Sequence, residues 1–210
     1  MKSNRISYAE ARTHFEVRGG NTVQAGAIYD TQTYAAAGQT ILNFFRQAYS
    51  DAGKNKDLTN MKRGGQMPHN EAILVRGIAL RFLPGVDNLK LDGDSSYVRD
   101  VIAAMKAGRV HIKTNGVDVV EDGPLSLFPN ETRFDVTFGI SDNRAAAAGQ
   151  FNVGQHGDVV GRLYMPEPFL LDANQAFDAS LEWDTAVALP STVAGKMVMR
   201  LIGDKYVNLK

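Results

Sequence analysis

Four histidines are the side chains in this sequence best suited to metal binding or acid–base catalysis, namely His14, His69, His111 and His156. A neutral imidazole binds transition metals and exchanges protons near neutral pH. No two of these histidines lie two or four positions apart, so neither a strand nor a helix would present them as a ligand pair. The sequence also lacks the His-x-His pair that metal sites in small β-barrels use. We therefore predict no catalytic residue, no cofactor-binding residue and no metal ligand.

His69 lies in the segment 57–83, DLTNMKRGGQMPHNEAILVRGIALRFL, where a polar, glycine-rich run passes directly into a long apolar run. The pair Gly64–Gly65 gives the backbone freedom, and Pro68 restricts the preceding residue to an extended conformation. Because His69 has no partner nearby in sequence, we interpret this stretch as a turn that leads into a strand. His111 falls in an alternating polar and apolar run, which is typical of a solvent-facing strand residue.

An acidic cluster, Asp87, Asp92 and Asp94, could in principle hold calcium, but the spacing and terminal glutamate of an EF-hand loop are missing. A turn followed by a helix cap accounts for it better. The chain also lacks the phosphate-binding, dinucleotide-binding, hydrolase and zinc-protease motifs. Ser126 and Ser180 lie in strand-like runs without a histidine partner nearby in sequence. These patterns predict that the protein is not an enzyme.

Residue patterns predict eight to ten β-strands, and these strands would position the candidate side chains. The segment 72–83 is apolar at both odd and even positions, and Gly77 within it indicates a bulge or a close approach of another backbone. Apolar and polar residues alternate strictly over 177–184, as in a strand with one buried face. Asn115–Gly116 is a strong hairpin signal, because a tight turn of that type needs two positive φ angles. Apolar spacings of three and four predict one short helix near 95–107.

The predicted strands do not alternate with helices along the sequence. The expected fold class is therefore all-β, an antiparallel β-sandwich or jelly roll. We predict two parts, an N-terminal arm that is partly extended (residues 1–38) and a jelly-roll domain (residues 39–210). Residues 141–161 are small, polar and glycine-rich, which predicts a long surface loop.

Composition limits the function classes. The 210 residues carry 23 basic and 23 acidic side chains, and a neutral chain argues against a dedicated nucleic-acid binder. There are no cysteines, which excludes disulfides and thiolate metal sites. No apolar run reaches the length of a membrane span, and the N-terminus lacks an apolar signal core, so we expect a soluble protein made in a cytoplasm.

The order of these features resembles the jelly-roll major capsid proteins of tailless icosahedral bacteriophages, over residues 39–210. In that family a T-N-M segment followed by G-x-L/M-P commonly precedes the second long strand. Here T-N-M occupies residues 59–61 and G-Q-M-P residues 65–68, directly before the long apolar run. The terminal strand carries L-x-G at residues 201–203, which is also common in the family.

The resemblance implies a structural virion protein, a capsid subunit that self-assembles into an icosahedral shell after synthesis in the host cytoplasm. It implies no catalytic residue, no cofactor and no small-molecule substrate. The expected partners are further copies, bound through the arm (1–38) and the loop (141–161), and other capsid proteins. A weak contact of the arm with nucleic acid or an inner membrane is also predicted. A single jelly roll is favoured, because 210 residues are few for the two tandem barrels of many such proteins.

Two other hypotheses remain open at this point. The chain could be a phage spike or adhesin-type β-sandwich that binds carbohydrate or a host receptor, or an enzyme on a β-scaffold. Trp183 lies on an apolar strand face, which counts against an exposed sugar-stacking platform.

Overall fold

Two four-stranded sheets and a separate hairpin make up the fold in a computed structural model. It describes residues 7, 9–10, 13, 21–85, 96–128, 132–139, 150–157 and 162–207. Within these ranges the elements are β1 (Asn21–Tyr34), β2 (Ile41–Phe44), β3 (Glu71–Leu83), α1 (Ser96–Lys106), β4 (Arg109–Thr114), β5 (Val117–Pro124), a 3-10 turn (Leu125–Leu127), β6 (Thr132–Gly139), β7 (Gln150–Gly157), β8 (Arg162–Leu171), β9 (Phe177–Glu182) and β10 (Gly195–Val207).

The first sheet has the strand order β1-β10-β3-β8 and the second the order β2-β9-β4-β5. All strand pairs are antiparallel. Strands β6 and β7 pair with each other as a separate two-stranded sheet. Two packed four-stranded antiparallel sheets in which the neighbouring strands, apart from β4 and β5, are distant in sequence form a jelly roll. The predicted fold class and the short helix are therefore confirmed.

One hydrophobic core lies between the two sheets and joins residues of both. The first sheet contributes Ile28, Ile73, Phe82, Met199 and Leu201, among others, and the second Phe44, Val110, Ile112, Ala179 and Leu181. Tyr34 is fully buried in this core, and burial raises its pKa to about 12. Its hydroxyl donates to the carbonyl of Val187 over 2.7 Å. A continuous core of this kind indicates one barrel, as favoured, and not a compressed double barrel.

A bulge in β3 explains why its sequence is apolar at both odd-numbered and even-numbered positions. Opposite β10, Ile202 pairs with Gly77 and Gly203 pairs with Val75, so Arg76 is an extra residue. Core-facing positions are odd before the bulge, at Ile73 and Val75, and even after it, from Ile78 onward. Of the two alternatives that Gly77 indicated, the structure shows the bulge, with the extra residue directly before this glycine. The even positions before it, Ala72 and Leu74, belong to a second small apolar cluster with Leu170 and Tyr206 on the other face of the sheet.

The hairpin predicted at Asn115–Gly116 is also confirmed. It joins β4 to β5, and both residues have positive φ angles, 49° and 77°. Gly108, at φ 108°, lies between the end of α1 and β4. Its missing side chain leaves room for the Trp183 indole, whose nitrogen would lie 2.7 Å from a Cβ there.

Two predicted boundaries differ from the structure. Residues 21–34, assigned to an N-terminal arm ending at 38, form β1 and pair along their length with β10. Asp30 takes an inward-facing position of this strand, between Ile28 and Tyr34, and so interrupts the apolar alternation that identifies strands. The loop predicted at 141–161 contains β7, which pairs with β6, although its glycines and polar residues weigh against a strand.

Candidate functional site

The stretch Gly64–Glu71 connects the two sheets. The Gly65 amide donates to the carbonyl of Phe45 at the end of β2, and the Gly65 carbonyl accepts from Phe177 at the start of β9. Gly65 has a φ angle of 66°, and a Cβ on Gly64 would lie 2.2 Å from the carbonyl oxygen of Arg46. Both glycines are thus required by local geometry, and the chain then turns into β3.

His69 is exposed, and the stretch around it turns into β3, as the sequence indicated. Pro68 and Met67 beside it are buried, and the Met67 amide donates to the carbonyl of Gln175 over 3.1 Å. The buried residues of the stretch therefore anchor it, while His69 lies at the surface.

The β2–β3 loop (residues 45–70) covers part of the outer edge of β1. The Thr31 amide donates to the carbonyl of Leu58 over 2.7 Å. The Asn60 side chain accepts from the Tyr29 amide over 2.9 Å and donates to the carbonyl of Ala27 over 2.8 Å. These bonds satisfy strand groups that would otherwise form an open sheet edge.

A buried ion pair, Lys54–Asp30, fixes the same loop to β1. The ammonium lies 2.9 Å from the carboxylate, and the two side chains are 5% and 0% exposed. The other carboxylate oxygen accepts from the Phe45 amide over 2.7 Å and from the Gln32 side chain over 2.6 Å. The ammonium also donates to the carbonyl of Thr31 over 2.5 Å. Both charges are therefore compensated by direct hydrogen bonds, as burial requires.

Beside this pair lies an open cavity of about 250 Å³, here called the Lys54 cavity. It is lined by Thr31, Gln32, Thr33, Gln47, Ala52, Gly53, Lys54, Leu58 and Lys196. Strand β1, the β2–β3 loop and the first residues of β10 thus form its walls. Among the described residues that line it, two are cationic and none is acidic. No feature of the sequence indicated this cavity, because its walls come from three distant segments.

Charged side chains cover the outer face of the second sheet. His111 on β4 lies between two carboxylates, with Nε2 at 2.5 Å from Asp118 Oδ1 and Nδ1 at 3.5 Å from Glu182 Oε1. Arg109 on the same strand binds Asp184 over 2.8 Å. Basic β4 thus pairs with acidic groups of β5, β9 and the residues after β9. The sequence placed His111 on an outer face correctly but could not supply its partners.

The hydroxyl of Ser180 lies on the strand beside His111, since the two residues pair across β9 and β4. Its hydrogen bond, however, goes to Glu182 over 3.0 Å. An activated serine would instead bond to the imidazole, which would accept its proton. We therefore interpret the charged side chains on the outer face of the second sheet as a cross-strand network that stabilises the sheet.

At the start of β3, Glu71 lies between two lysines, Lys62 and Lys205. Burial alone would raise the pKa of Glu71, but hydrogen bonds and charge from Lys205 and Lys62 outweigh it and lower this pKa below its ordinary value. The Lys205 ammonium is 2.8 Å from the carboxylate. Nearby, Arg76 on the bulge binds Asp204 over 2.9 Å.

Several candidate residues lie outside the described residues, namely His14, Asp87, Asp92 and Asp94, as does residue range 141–149. His156 is placed by its backbone in β7. Within the described part of the chain no three His, Cys, Asp or Glu side chains are grouped so that they could hold a metal ion. No helix there is long and apolar enough to cross a membrane.

Comparison of the chain with protein-family models, with curated proteins and with solved structures finds no match in any of the three.

Proposed function

We propose that this protein is the major capsid subunit of a tailless icosahedral bacteriophage and that it assembles with further copies of itself into the shell. The observation that carries the proposal is the single jelly roll with strand orders β1-β10-β3-β8 and β2-β9-β4-β5. A fold alone does not determine a function, so the proposal also needs support from particular residues.

The segments that carry the family resemblance have structural roles in the β2–β3 loop. The Thr59 hydroxyl donates to the carbonyl of Tyr29 over 3.0 Å, and Met61 is buried in the core. Residues 65–68 then direct the chain into β3. This arrangement supports the resemblance, because the same residues shape the loop that shields the edge of β1.

Exposed apolar side chains on neighbouring elements offer a surface for association. Ile102 on α1 and Leu127 in the 3-10 turn are 57% and 54% exposed, and α1 contacts that turn. Single exposed apolar residues are ordinary, but repeated copies bring such contacts together many times, so each contact can be weak. The neutral net charge of the chain opposes association little.

The alternative, a carbohydrate-binding spike or adhesin, has less support. Trp183, the one tryptophan, is 3% exposed and packs edge-on against Tyr34 with ring centroids 5.4 Å apart. It cannot stack on a sugar in this position.

Electron microscopy and analytical ultracentrifugation of the full chain test the proposal. We expect shells, curved sheets or symmetric rings over a range of protein and salt concentrations. A particle that stays monomeric at millimolar concentration would refute it. A trimer that binds a glycan saturably, with no larger assembly, would favour the spike instead.

Two matched variants on α1 test whether Ile102 contributes to the contact between copies of the chain. Replacing Ile102 by serine should shift assembly to higher protein concentration, because it removes an exposed apolar group. Replacing Arg99 by serine, at another exposed position of the helix, should leave assembly unchanged. Exchanging residues 1–20 for a short linker tests the arm without disturbing β1, and unchanged assembly would rule out a role for those residues.

A further inference from the structure

The Lys54 cavity is lined by residues that can donate hydrogen bonds, and Lys54 among them has an N–H bond left for a further acceptor. An ammonium group has three N–H bonds. Among the described residues, Lys54 donates to Asp30 and to the carbonyl of Thr31, which leaves one N–H bond for a further acceptor. Thr33 and Gln47, whose side chains carry a hydroxyl and an amide, are also among the residues that line the cavity.

Burial holds the Lys54 ammonium in place before any ligand arrives. Its side chain is 5% exposed and is restrained by the buried Asp30 carboxylate. A donor that is already ordered loses little conformational entropy on binding, and in this partly dehydrated position its hydrogen bonds are stronger than in water.

The charge of the cavity favours an anion. Asp30 compensates the charge of Lys54, so the second lining cation, Lys196, leaves an excess positive charge. Lys196 is exposed and can move toward a ligand, and in the part of the chain that the structure describes no acidic residue lines the cavity. A compact acceptor with several oxygens would match two ammonium groups together with the hydroxyl and amide donors.

We propose that the Lys54 cavity is a binding site for a phosphate-type oxyanion, held between Lys54, Lys196 and the polar groups of Thr33 and Gln47. The ligand is either free phosphate or the phosphate of a small phosphomonoester. This inference is independent of the proposed function, because it rests on one subunit alone.

Equilibrium dialysis of the full chain with radiolabelled inorganic phosphate tests the proposal, and it works equally well on monomers and assemblies. Ionic strength is held constant with chloride. We expect saturable binding of one phosphate per chain. Replacing Lys196 by glutamine should weaken binding about tenfold or more, since one of the two cations is lost. The absence of saturable binding to the wild-type chain would overturn the proposal.

Lys56→Gln is the matched control, because Lys56 belongs to the same loop but lies over the Tyr49 ring and outside the cavity lining. Binding should be unchanged in this variant. Equal losses of phosphate affinity in Lys196→Gln and Lys56→Gln would indicate a general charge effect and would also overturn the proposal. Replacing Gln47 by leucine, which keeps every charge, should weaken binding as well.

Competition with a nucleoside monophosphate separates the two ligand sources. Displacement of labelled phosphate at lower concentrations than unlabelled phosphate needs would assign the site to a phosphomonoester. Displacement only at higher concentrations would assign it to free phosphate.

Discussion

The buried pair Lys54–Asp30 allows a quantitative test of how the β2–β3 loop is held. Replacing Lys54 by methionine preserves much of the side-chain volume but leaves the Asp30 carboxylate without its counter-charge. The carboxylate would retain only its hydrogen bonds from the Phe45 amide and the Gln32 side chain. Removing one partner of a buried pair costs about 3–5 kcal/mol, because the remaining charge is uncompensated. We expect a loss of that size in the free energy of unfolding.

Urea unfolding at pH 7 and low protein concentration measures this loss. With a slope of about 2 kcal/mol per molar urea, a 3 kcal/mol change lowers the midpoint by about 1.5 M. The effect should persist at high salt, because the pair is shielded from solvent ions.

A double-mutant cycle separates the pair from other changes. Asp30→Asn keeps an oxygen that can accept from the Phe45 amide, and combined with Lys54→Met it removes both charges. We expect the double variant to be more stable than Lys54→Met alone, with a coupling energy of about 1–3 kcal/mol. The exposed pair Arg46–Asp178, whose side chains are 56% and 45% exposed, is the control, and Arg46→Gln should cost at most about 1 kcal/mol. Additive losses in the cycle, or a cost below about 1 kcal/mol for Lys54→Met, would refute this reasoning.

Two further predictions concern β10 and β3. Gly203→Ala should destabilise the fold by more than about 3 kcal/mol, because its Cβ would lie 1.8 Å from the Leu74 carbonyl oxygen and the backbones must separate. Gly116→Ala, where nothing lies within 4 Å of the new Cβ, should cost only about 1–2 kcal/mol for its positive φ, and equal costs in urea unfolding would contradict the clash. The lowered pKa of Glu71 means that its stabilising effect is full above its ordinary value of 4.5 and is lost as the pH falls through the folded-state pKa. Glu71→Gln should therefore be less stable than wild type at pH 7 and equal to it in strong acid, and a constant difference across thermal melts from pH 7 to pH 2 would contradict this.

Local signals predicted those parts of the fold that depend on nearby residues. The hairpin at Asn115–Gly116 follows from the φ angles that its turn needs, and α1 from its apolar spacing. The bulge at Gly77 follows from the same logic, because a glycine inside an apolar strand commonly marks an irregularity.

The remaining features depend on partners that are distant in sequence. Strand β1 was missed because its stability comes from pairing with β10 and from Asp30, whose partner Lys54 lies in another segment. The Lys54 cavity was missed for the same reason. The alternating pattern predicted that His111 lies on an outer face. Its charged partners were not predictable, because they come from β5 and β9.

The pairing of β1 with β10 also sets when the chain can fold. Asn21 pairs with Val207 and Tyr34 with Gly195, so β1 can pair with β10 only after residues 195–207 have been synthesised. On a ribosome that delivers residues one after another, β1 emerges before β10 and stays unpaired with it until then. Pairing between such distant segments also makes folding slow. The first sheet should therefore complete its pairing only after β10 has emerged, and a chain truncated before Gly195 should depend on chaperones to stay unaggregated.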